Sequence, residues 1–114
     1  NSLHFMIVIQ NAVIKKYYNK YKCYINNVNM NQQEIIKMKD IEKSVLSRLD
    51  IKDKKPIYQI DDLLNQKHIK FFSTCALKDN YECFRIVLKI SGIWESDDTY
   101  GLTFKFIDIN NVTV

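Results

Sequence analysis

Ten consecutive residues near the amino terminus, Lys15, Lys16, Tyr17, Tyr18, Asn19, Lys20, Tyr21, Lys22, Cys23 and Tyr24, hold four lysines and four tyrosines. Ammonium groups neutralise phosphates and phenol rings stack on bases, the combination used on single-stranded nucleic acid. The candidate contact residues are Lys15, Lys16, Tyr18, Lys20, Tyr21 and Lys22. Trp94 is a further candidate anchor, because tryptophan is enriched at binding hot spots, although it also packs over the ends of sheets. The competing reading of residues 15–24 is an element that buries its rings and solvates its lysines.

Other chemistry finds no support in the residues. There is no G-x-S-x-G, G-x-x-x-x-G-K-[ST], H-E-x-x-H or C-x-x-C, and two glycines cannot build a glycine-rich phosphate cradle. His4, His68, Cys23, Cys75 and Cys83 lack the closely spaced pairs of a zinc site. His4, inside an apolar run, is expected to be partly buried and hydrogen-bonded, and His68, at the start of a strand, exposed. Asp61 and Asp62 read as solvated on a short helical turn, and Glu95, Asp97 and Asp98 as a solvated turn between strands, with weak divalent-cation binding its alternative. Neighbouring acids on a chain point in different directions, so neither cluster specifies an acid–base pair. Asn111 and Thr113 match the glycosylation pattern, which matters only in a secreted chain. The chain reads as non-catalytic, with no cofactor and no metal.

These residues need elements to hold them. The apolar run at residues 3–9 fits a strand covered on both faces or the start of a buried helix. Residues 12–28 carry apolar side chains at helical spacing and also alternate as a strand would, so the two readings stay open there. Over residues 32–49, Ile35, Met38, Ile41, Val45 and Leu49 recur at three and four, with Leu46 beside them, which predicts an amphipathic helix. Asn31 and Glu34 stand in the relation of an N-cap and its reciprocating acid, and Glu42 sits close to the apolar stripe. Pro56 stops the helix, and a short helical turn follows around Ile60, Leu63 and Leu64.

Three alternating runs, residues 69–77, 81–93 and 100–109, read as an antiparallel meander, with a bulge or close backbone contact at Gly92. A three-residue hairpin at residues 78–80 would set Phe72 opposite Ile86 and Cys75 opposite Cys83. The predicted fold is therefore α+β: an antiparallel sheet of three to four strands, covered on one face by the amphipathic helix.

Composition bounds the function. The chain has 114 residues, 46% hydrophobic, which suits one small α+β domain spanning residues 1–114. It does not begin with Met, so a segment of a longer protein is expected. The +4 charge is split, +6 over residues 1–57 and −2 over residues 58–114. With 16 Ile, 15 Lys and 11 Asn against two Arg, AT-rich codon supply accounts for part of the lysine excess. Three cysteines suit a reducing intracellular setting, cytoplasm or nucleus, and a seven-residue apolar run cannot span a bilayer, so no membrane is expected.

The first functional expectation is a non-catalytic protein–protein interaction or assembly module within a larger complex, its partner a protein or a second copy. The alternative is a domain that binds single-stranded DNA or RNA through residues 15–24. An enzyme ranks third.

Overall fold

The computed structural model describes residues 1–26, 28–49 and 51–109. Its elements run β1 (Leu3–Tyr17), β2 (Lys20–Ile25), α1 (Gln32–Ser47), β3 (Lys55–Pro56), α2 (Gln59–Asn65), β4 (His68–Phe72), β5 (Asn80–Glu95) and β6 (Thr99–Asp108). The expected three- to four-stranded antiparallel sheet is wrong. Six strands form one mixed sheet in the order β3-β6-β4-β2-β1-β5, and β5 also pairs with β6. That last pairing joins the ends, so β1, β2, β4, β6 and β5 close into a barrel, with β3 lying beside β4 along the same edge of β6. Closure leaves fewer open strand edges.

Two mistakes separate the predicted meander from this topology. Residues 3–17 form one long strand that pairs with β2 through its second half and with β5 through its first. Residues 12–25 resolve as the strand reading, with β1 turning into β2 through Tyr18 and Asn19. Because β1 occupies the edge of β5, strand β4 finds its neighbours elsewhere: β2 on one side and β6, in parallel, on the other. Residues 73–79 are a connection between strands that do not pair, not a hairpin. Phe72 consequently meets Ile107, and Ile86 lies between Ile7 and Asp108. Cys83 faces Gln10, not Cys75, and the two cysteines form no disulfide.

The core fills the barrel from one face of each strand. Ile7, Ile9, Ile69, Ile86 and Leu88 have no exposure and Phe84 has 1%; burying each such side chain contributes about 1.5–3 kcal/mol. Asn11, at φ 52°, bends β1 and resets its alternation, so that Ala12 and Ile14 continue the inward face. Asparagine tolerates this left-handed backbone better than a branched residue. The predicted irregularity at Gly92 is a bulge: the β5–β6 register shifts between Ile90 and Gly92, and the space around Gly92 is open.

Both helices are inserted between β2 and β4 and join the same core through Met38, Leu46, Ile60 and Leu64. The buried line of α1 is Met38, Glu42 and Leu46, with Ile35, Ile41, Val45 and Leu49 only partly covered. Asn31 occupies the N-cap position but makes no capping bond. Its buried amide instead pairs with the main chain of Gln10, accepting from N–H at 2.7 Å and donating to C=O at 2.9 Å, which ties the start of α1 to the bend of β1. In β3, Lys55 and Ile57 on either side of Pro56 donate to the carbonyls of Asp98 and Tyr100, so proline's missing N–H costs no ladder bond.

No helix among the described residues is long and apolar enough to cross a membrane. Asn111 and Thr113 lie outside the described residues.

Candidate nucleic-acid interface

Strand register decides which lysines share a surface. Along β1 and β2 the outward positions are Lys15 and Tyr17, then Lys20, Lys22 and Tyr24, while Ile14, Tyr21, Cys23 and Ile25 point inward. Lys15 pairs with Lys22, and Lys22 pairs with Lys70 on β4. Phe71 and Phe72 pair in parallel with Phe106 and Ile107, so Lys70 and Lys105 stand one residue before these pairs on adjacent strands. Lys105 then pairs with Lys89 on β5, and Lys89 with His4. One outward row thus carries Lys15, Lys22, Lys70, Lys105 and Lys89 around the barrel. Like charges placed directly opposite each other destabilise a sheet.

Aromatic rings flank this row. Lys22 Nζ lies 4.6 Å from the centre of the Tyr17 ring, and Lys15 Nζ lies 5.5 Å from that of Tyr24. Tyr17 meets Tyr18 edge to face at 4.8 Å, and Tyr18, at the hairpin tip, is 83% exposed. Phe72 is 54% exposed beside them on β4. The outward strand positions around these lysines, from β1 through β2 and β4 to β6, carry no acid. Among the described residues the ion pairs are Lys39–Asp61 at 3.4 Å and Lys54–Glu95 at 2.8 Å, and neither draws on the row.

The candidates from the sequence therefore part company. Lys15, Lys20 and Lys22 project outward, and Tyr18 stands at the tip. Lys16 is exposed near the end of β1, where it lines a separate depression with Tyr21 and residues 72–76. Tyr21 is only 8% exposed: its ring stacks on Phe71 at 5.6 Å and its hydroxyl donates to the Cys75 carbonyl at 3.3 Å, so it is a core residue. Trp94 lies far from the row in the sheet. Its ring covers Gly101, where an added Cβ would fall 2.8 Å from the indole, and its Nε1 donates to Gln59 at 3.1 Å. Trp94 thereby holds the start of α2 against the sheet.

Sequence reasoning missed Lys70, Phe72, Lys89 and Lys105. Each lies in an alternating run whose outward face was legible, but no spacing along the chain reveals which strands become neighbours.

The histidines are reversed from expectation. His4 is exposed on the outer face of β1. His68 is buried, its Nδ1 3.3 Å from the Gln66 carbonyl oxygen and its ring 5.7 Å from that of Tyr24. Burial pushes the Cys23 thiol up to about 12, which keeps it protonated and unreactive at neutral pH.

A depression of about 700 Å³ lies elsewhere, at the bend of β1. Asn11, Asn26, Asn29, Asn80 and Glu82 contribute to its lining, and among the described residues no cation does. Comparison of the chain with protein-family models, with curated proteins and with solved structures found no match.

Proposed function

We propose that this domain binds single-stranded nucleic acid across the outer face of β1, β2, β4 and β6, with Lys15, Lys22, Lys70 and Lys105 on phosphates and Tyr17, Tyr18 and Tyr24 on bases. The observation that supports the reading is the register: the pairings Lys15–Lys22, Lys22–Lys70 and Lys89–Lys105 each set two lysines on facing strand positions. Codon supply adds lysines to a chain but does not align them across strands. A polyanion removes the repulsion such a row carries. By architectural analogy, five-stranded Greek-key barrels of the oligonucleotide-binding kind take ligands on their second and third strands and on the loop after the first, which correspond here to β2, β4 and the Tyr18 turn.

Titration with an oligothymidylate at two salt concentrations tests the reading. Four engaged phosphates give a slope of log affinity against log salt of about −3. Absence of binding at low salt sinks the proposal.

A second reading, docking of a protein or a second copy, rests on the neighbouring outward row of Met6, Val87, Ile107 and Phe72. Met6 is 43% and Phe72 54% exposed, an apolar strip suited to a partner's side chains. Sedimentation of the free domain over a range of concentrations separates self-association from a monomer.

A further inference from the structure

We propose that the seam between β4 and β6 seats one unstacked base of the bound strand, an inference that rests on the nucleic-acid reading above. The two strands pair at only two positions, Phe71–Phe106 and Phe72–Ile107, and the amino-terminal end of β6 pairs with β3 through Thr99 and Tyr100. The seam holds a cavity of about 360 Å³, within the range of small-ligand sites. Phe71, Phe104 and Phe106 line it together with Leu63 from α2. Phe104 and Phe106 meet edge to face at 5.9 Å, so ring faces and edges are both on offer.

Lys20, Lys70, Lys105 and the exposed Phe72 also line the cavity. Apolar rings beside three cations complement a flat aromatic body with an anionic tail, which is a nucleobase with its phosphate. The occupant is a unit of a strand and not a free nucleotide, because Lys70 continues through its strand pairings to Lys22 and Lys15, where further phosphates lie. Among the described residues no Asn, Gln, Asp or Glu lines the seam to read a base edge, so stacking there tolerates any base.

The test is photocrosslinking of an oligothymidylate carrying one 5-iodouracil, with the modified peptides mapped by mass spectrometry. Crosslinks are expected at residues 70–72 or 104–106. The exposed Phe72→Ala variant, whose fold is not at stake, should bind the oligothymidylate about 5- to 150-fold more weakly with an unchanged salt slope, as loss of one stacked base requires. Crosslinks confined to Tyr17 and Tyr18, with Phe72→Ala binding as the parent does, overturn the seam proposal and leave the lysine row standing. Thymidine monophosphate competing as well as the oligomer overturns the assignment to a strand. Failure of the parent protein to bind at low salt removes both readings together.

Discussion

Tyr18 shows most directly how a single residue trades stability for exposure. It is the first residue of the two-residue turn between β1 and β2 and holds φ 54°, a backbone that glycine adopts freely and a tyrosine adopts at a cost of about 1–2 kcal/mol. The ring gains little burial in return, being 83% exposed. Replacing Tyr18 with Gly relieves the strain and should raise unfolding free energy by up to about 1 kcal/mol, once glycine's extra unfolded-state entropy is set against it. The same change removes a stacking ring, so affinity for an oligothymidylate should fall about tenfold. Urea denaturation and a binding titration on one preparation of the variant read the two effects. A variant that is more stable and binds equally well would show the ring to be idle. Trp94 is the opposite case at this scale: as an isolated letter it suggests a surface anchor, but contact with Gly101 and Gln59 gives it a packing role.

At the scale of elements, α1 was the most legible feature, yet its one awkward residue proved the informative one. Glu42 interrupts an apolar stripe and has no exposure, because its carboxylate accepts the main-chain N–H groups of Ile60 at 2.9 Å and Asp61 at 3.0 Å. These are first-turn donors of α2 with no partner inside their own helix, so an acid on one helix satisfies the start of the other. Desolvation by burial raises the Glu42 carboxyl above its ordinary range. The two N–H donors oppose the rise, and nearby Asp61 and Asp62 add to it. A carboxyl raised on folding binds more protons in the folded state, so its contribution is greatest below the ordinary value of 4.5 and is lost as pH rises through the folded value. The stability of the parent relative to Glu42→Gln should therefore fall between acidic and neutral pH. Glu42→Ala should cost about 1–3 kcal/mol by leaving two N–H groups without an acceptor. Denaturation of the three proteins at both ends of that pH range measures both effects. The strands of the carboxy-terminal half were legible as strands, with their alternation and the Gly92 bulge, because a pleat repeats every two residues wherever one face is buried.

For the whole molecule, closure of the barrel redistributes charge in a way that halves of the chain do not describe. Lys70, Lys89 and Lys105 belong to residues 58–114, which carry a net −2, yet they continue the row begun by Lys15 and Lys22. If the row acts as one surface, Lys15→Ala and Lys105→Ala should each flatten the salt slope by about 0.7, despite lying on opposite sides of the charge split. Lys43→Ala, on the exposed side of α1, should leave it unchanged. Equal slopes for all three variants would deny the row any collective role. The long axis of 45 Å follows from β1 and β5, whose 15 and 16 residues each span about 50 Å when straight and are shortened by bending. Read alone, the sequence determined the alternation of the carboxy-terminal strands and where α1 and α2 form, because those depend on periods of two and 3.6 residues along one chain. Tertiary structure alone decided that residues 12–25 form a hairpin, that β4 runs parallel to β6, that Tyr21 turns inward, and that five lysines meet in a row. Each of these depends on which strand edges find each other, and backbone hydrogen bonding between edges is indifferent to the side chains that a sequence displays.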